Sequence, residues 1–338
     1  MVADNLLPVW TIAPNWSQPI RERLSWLSDV FRSETGHEQA RALRVAPRRS
    51  VEALYTPVDA ERSFFELLLQ RLGRNEFMMP LWFDQGIATA VAGSTVTVDT
   101  VNREFAVGTM ALLIGDDPFT FETFTISAVA AGTLTASVAL TSTWPAGTKV
   151  FPLRRGWLDG ESVSPVTSRV ASSQLTFTMD VRNDLAGGAE TFDLYAGHPL
   201  LTHDIDWSQT LTNDYQWLSE EFDSETGVRY VVDTADRAFA MRRYGLLLEG
   251  IAEHMAYRKL LYRIEGRTKP VWIPDFSRSI EVVRPSALGS QIVDIRKIGL
   301  GYVGGITDDI AHVLIGGDEA VQIEDLGAAL ADDEERLQ

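Results

Sequence analysis

Gly299-Leu300-Gly301-Tyr302-Val303-Gly304 has the glycine spacing of a dinucleotide-binding loop, in which small residues let the backbone approach a pyrophosphate. Ile298 is placed to end a strand before it. Glu324 lies about 20 positions on, where such folds put the carboxylate that holds a ribose. The fold also needs a helix, another strand and a second mononucleotide half, and 34 residues of this chain follow Gly304. We therefore read these glycines as turn or bulge residues of a β segment. His198, His203, Asp204 and Asp206 gather imidazoles and carboxylates, the ligand types of a divalent cation, but their spacing matches no established metal pattern. They are expected on a surface loop ahead of a strand. The adjacent carboxylates Asp116-Asp117 and Asp308-Asp309 arise readily among 47 acidic residues and do not specify a glycosidase. The sequence has no Gly-x-Ser-x-Gly, His-Glu-x-x-His or phosphate-loop motif. No catalytic, cofactor-binding or metal-ligating residue is expected, and the chain does not read as an enzyme. Arg41, Arg44, Arg48 and Arg49 form its one basic cluster, with Arg242 and Arg243 later. They are expected on a strand face, either solvated or paired with acidic surface of a neighbouring subunit.

The whole-chain charge bounds the partners. The net charge is −17, and phosphate binding needs clustered cations, so free nucleic acid is a poor partner. Eight carboxylates fall between Asp318 and Gln338 against Arg336 alone, which reads as a solvated, partly frayed tail or as an acidic channel lining that DNA passes without sticking. The chain contains no cysteine, which removes disulfides and thiolate metal sites. The first ten residues lack a basic start followed by an apolar run. No apolar stretch approaches the ~18 residues of a bilayer span. An apolar fraction of 45% with nine Trp excludes a disordered chain, and 338 residues allow two domains of ordinary size.

What positions these residues is a repeat. Trp16–Gly36 (WSQPIRERLSWLSDVFRSETG) returns ungapped as Trp207–Gly227 (WSQTLTNDYQWLSEEFDSETG), 191 positions later, with 11 identities. Unrelated segments of this length share about one or two. In the first copy, alternation over Ile20–Phe31 predicts a strand, Ser33–Gly36 a hairpin loop, and His37–Pro57 a return broken near Pro47. Phe64, Leu67, Leu68, Arg71 and Leu72 recur at helical spacing, with Asp59 as N-cap and Gly73 as terminator. A strand ending at Met79–Phe83 completes a ββαβ unit. The second copy predicts strands over Leu211–Phe222 and Val228–Leu246, a helix over Glu249–Glu265, and a strand at Lys269–Ile273. Gln174–Val181 is expected to open that copy. Six tryptophans pair between copies: Trp16 with Trp207, Trp26 with Trp217, Trp82 with Trp272. Repetition of such large rings predicts equivalent core or interface pockets. Gly86–Leu153 is rich in Thr, Val, Ala and Gly with short strand-like runs, which predicts a small all-β barrel or sandwich.

The expected architecture is α+β, mainly β: a tandem duplication of a ββαβ unit with an inserted small all-β barrel or sandwich module. The boundaries are 1–85 for copy one, 86–155 for the insert, 156–200 for connecting strands, 201–276 for copy two, 277–325 for a short β module, and 326–338 for an acidic tail.

The run Trp16-Ser17…Glu22-Arg23-Leu24…Trp26…Asp29-Val30…Ser33…Gly36…Glu38-Gln39…Arg41-Ala42-Leu43-Arg44…Pro47-Arg48-Arg49 resembles structural proteins at the tail tip of long-tailed bacteriophages. The module ending Trp144-Pro145-Ala146-Gly147-Thr148 adds to this likeness. The hairpin, helix and closing strand are similar to the belt domain of distal tail and baseplate hub proteins, a relative of the tail-tube fold, so the resemblance implies that each ββαβ unit is tail-tube or belt-like. The resemblance implies a virion tail protein assembled in the host cytoplasm. It would form a homo-oligomeric ring joining the tail-tube protein to the baseplate or central-fibre proteins. DNA would pass through the lumen without specific binding, with no membrane insertion, no cofactor and no catalytic residue. Two units per chain favour a trimeric pseudo-hexamer; a hexameric distal tail protein with a peripheral β domain is the alternative. Two further classes remain: a carbohydrate- or receptor-binding module stacking on Trp10, Trp144 or Trp157, and a cell-wall hydrolase within the β module.

Overall fold

In Arg48–Tyr55 every second side chain, Arg49, Val51, Ala53 and Tyr55, points inward, as the two-residue period of a half-buried strand requires. The computed structural model describes residues 7–73, 75–159, 169–180, 192–203, 205–274, 276, 280–284, 292–300, 312–315, 319–323, 326–327 and 334–337. The protein is mainly β with antiparallel pairing throughout its sheets and two α-helices among these residues. It divides into two compact units.

The first unit holds β1 (Arg21–Ser25), β2 (Ser28–Arg32), β3 (Glu38–Ala42), β4 (Arg48–Tyr55), α1 (Ala60–Leu72) and β5 (Phe77–Pro80), then a 3-10 turn, Trp82–Asp84. β6 (Gly86–Ala92), β7 (Thr95–Val98), β8 (Met110–Ile114), β9 (Phe121–Ala130), β10 (Thr133–Ala136), β11 (Lys149–Asp159) and β12 (Ser173–Met179) follow. β11 belongs to two structures, which explains why Val150–Gly156 is buried without alternation. Its first half pairs with both β8 and β6, and the order β11-β6-β7-β10-β9-β8 closes into a six-stranded antiparallel barrel. Closure leaves no free edge. Val96, Val98, Leu113, Phe124, Leu134 and Val150 are among the residues that fill it. Its second half pairs with β5 and β12, and β12 continues to β4 and β1. Phe65, Leu68 and Leu72 of α1 lie on one stripe and pack with Trp10, Tyr55, Phe77 and Phe177 in a second core. Trp10 is its hub, edge-on to Tyr55, Phe65 and Phe177 at 5.3–5.7 Å.

Three local expectations change here. Asp59 makes no side-chain cap; its carboxylate takes both guanidinium bonds of Arg169 instead (2.8 and 2.9 Å). β12 covers the stretch expected to open copy two, yet it pairs inside the first unit, because Leu175, Phe177 and Met179 complete that unit's core. Helix α2 (Gly250–Ile264), read from sequence as copy two's own helix, belongs to the first unit as well.

The second unit, described by itself, holds β13 (Leu194–Tyr195) and β14 (His198–Pro199), then a long hairpin of β15 (Thr212–Asp223) and β16 (Arg229–Arg243). β17 (Val293–Arg296), β18 (His312–Ile315), β19 (Glu319–Gln322), β20 (Leu326–Gly327) and β21 (Glu334–Leu337) complete it. The strand expected at Lys269–Ile273 is reduced to a bridge between Trp272 and Leu200. The acidic terminus differs from the frayed tail of the sequence reading. β21 pairs with β17 and places Leu337 on Ile295, and Arg336 binds Asp294 across the ladder (2.7 Å). Gly301–Gly304 and Asp308-Asp309 lie outside the described residues.

The two repeat hairpins share one register. Arg21 faces Glu52, and Thr212 faces Arg243; both residues have moved by 191. Arg32 faces Glu38, and Asp223 faces Arg229, again moved by 191. The slip between the two halves falls at the same place, Trp26-Leu27 in the first hairpin and Trp217–Ser219 in the second. Gly36 and Gly227 close the turns at φ +85 and +91, a left-handed conformation that favours glycine.

Candidate functional site

Two features concentrate charge and exposed apolar surface: a buried ion network in the first unit and the bare β15–β16 hairpin in the second.

The network starts from Arg49, whose side chain β4 turns into the core. Its guanidinium forks onto the Glu104 carboxylate (2.6 and 2.7 Å) and donates from Nε to Glu22 of β1 (2.5 Å). Leu24 faces Arg49 across the ladder, which puts Glu22 on the diagonal, within reach of a long side chain. Arg154 of β11 donates to the Glu104 backbone oxygen (2.8 Å) and approaches its carboxylate (3.4 Å). Arg258 of α2 reaches Glu22 (2.8 Å) and Glu104 (3.5 Å) while its guanidinium lies 4.6 Å over the Phe83 ring. Asp84 accepts the Glu104 backbone N–H (2.5 Å). Glu104 and Asp84 are both fully buried.

Burial by itself would raise Glu104, but Arg49 first, then Arg154 and Arg258, outweigh it and hold the carboxyl at about 2. Burial would lower Arg49, and Glu104 and Glu22 instead push it up. For Asp84 burial dominates and raises it to about 6, against the Glu104 N–H that favours its ionised form. Glu22 and Glu104 are thus committed to guanidiniums. The network works as an internal fastener joining β1, β4, the segment after β7, β11 and α2.

The hairpin is the opposite case. β15 is exposed along nearly its whole length, and β16 over Arg229–Asp233 and at Ala240, Met241 and Arg243. Tyr215, Trp217, Phe222, Tyr230, Val231 and Met241 all stand in solvent, with Trp217 at 63% and Phe222 at 70% exposure. β15 carries Asp214, Glu220, Glu221 and Asp223 and no basic residue. Among the described residues β15 and β16 form a two-stranded sheet of their own.

The paired tryptophans separate by environment. Trp82 is buried against Phe151. Trp272 is half-buried, donating to the Tyr195 carbonyl and standing edge-on to its ring at 5.3 Å. Trp26 is half-buried under Tyr262 at 5.7 Å, whereas Trp217 is open. Trp16 and Trp207 are both exposed, at 59% and 62%. The arginine cluster does not stay together: Arg41 and Arg48 are exposed, Arg44 approaches the Ser25 carbonyl (3.4 Å), and Arg49 is buried and cannot meet a neighbouring subunit. A stacking platform on Trp10 or Trp144 is not available. Trp10 is in the core, and Trp144 is buried with its Nε1–H on Glu122 (2.9 Å). Trp157 is half-buried within β11. An open groove of about 570 Å³ at the barrel is lined by Phe119, Phe121, Trp144 and Lys149, with Asp116 its single carboxylate, so it lacks the pair that glycoside hydrolysis uses. His198 and His203 are described, Asp204 lies outside the described residues, and no group of three potential metal ligands gathers among the described residues. No helix there is long and apolar enough to cross a membrane.

Sequence reasoning missed the network. Its members are spread from residue 22 to residue 258, so no local spacing announces them. The available signal was Arg154-Arg155 inside the apolar run of β11, because charge in a strand buried on both faces demands partners.

No known protein-family model matches the chain, and no curated protein matches it in sequence.

Proposed function

We propose that the chain is a tandem duplication of a belt-like unit and serves as a structural ring protein of a bacteriophage tail tip, joining tail tube to baseplate or fibre around the DNA channel. The observation that carries this reading is the pair of hairpins in one register, 191 residues apart, one of them exposing a long apolar ladder. A duplicated unit with an uncovered strand pair is half of an interface, and repetition of that interface generates a ring or a filament. Three chains supply six such units, which suits a pseudo-hexamer matched to a sixfold tube. Excess negative charge suits a lumen that DNA must traverse without binding. A hexamer of whole chains, each with its barrel at the periphery, would serve as a distal tail protein. Electron microscopy of the purified protein, counting subunits per closed ring, tests the reading. Three subunits support the hub, and six support the distal tail protein. A monomer at every concentration overturns both. The aromatic-lined barrel groove supports a second reading, a receptor-binding module, for which glycan-array binding by the monomer is the test.

A further inference from the structure

We draw no further inference here: the strongest candidate, the exposed apolar face of the β15–β16 hairpin around Trp217 and Phe222, carries none, because nothing in the structure shows what covers it.

Discussion

Replacing Glu104 by Gln is the sharpest probe of how the first unit is held together. The substitution keeps size but removes the charge that faces Arg49, Arg154 and Arg258, and it turns one of the two oxygens that accept from Arg49 into a donor. A carboxyl ordinarily at 4.5 and held at about 2 in the folded protein corresponds to roughly 3 kcal/mol of stabilisation. An independent figure, the cost of breaking a buried pair and leaving its partner uncompensated, is about 3–5 kcal/mol. The two agree, so Glu104→Gln should cost about 3 kcal/mol at pH 7, read as a lower urea midpoint in tryptophan fluorescence. The sign with pH is fixed. The folded value is depressed, so the contribution is complete above 4.5 and disappears as pH falls from 4.5 towards 2. The gap between wild type and variant must therefore narrow over that interval. A gap under about 1 kcal/mol at pH 7, or one that stays constant down the acid limb, would refute the network as a fastener.

Asp84→Asn should have the opposite effect. Burial raises Asp84 from 3.8 to about 6, so its ionisation penalises the folded state increasingly between those values and fully above them. The variant should be about 2–3 kcal/mol more stable at pH 7 and indistinguishable from wild type below pH 4, as followed by urea titration at each pH. Arg258→Met should loosen α2, costing about 2 kcal/mol in charged hydrogen bonds. Hydrogen exchange should accelerate across Gly250–Ile264 and stay unchanged in the barrel strand Met110–Ile114; equal acceleration in both would refute a local role. Gly156→Ala should destabilise by about 1–3 kcal/mol or more, because its Cβ would stand 2.4 Å from the Thr178 carbonyl oxygen, a backbone atom that cannot step aside. An unchanged melting temperature would show that β11 and β12 can part at that point.

What could be read from the sequence is what local periodicity encodes. The helix at 60–72 follows from its apolar spacing, and the hairpins follow from alternation around Ser-Glu-Thr-Gly turns. The short strands between Gly86 and Ala136 follow from Thr- and Val-rich runs punctuated by turn glycines. Where each element docks is not a local property. Order along the chain puts β12 and α2 with the second repeat, but Phe177 and Met179 fit the Trp10 core, and Arg258 fits the carboxylates of Glu22 and Glu104. Trp26 and Trp217 are identical residues in matching registers with different surroundings, which no alignment of one copy on the other can reveal.

The two hairpins share a register but not their side chains, and the difference follows what each one touches. The first hairpin keeps Glu22 for Arg258, and Asn213 stands at the corresponding position in the second. Arg21, Arg23 and Arg32 become Thr212, Asp214 and Asp223. These residues sit on a ladder whose pairing does not change: Arg21 faces Glu52 where Thr212 faces Arg243, and Arg32 faces Glu38 where Asp223 faces Arg229. Register is held by the turn glycine and by the slip after the tryptophan, so charge at these positions can differ between the hairpins without moving a strand.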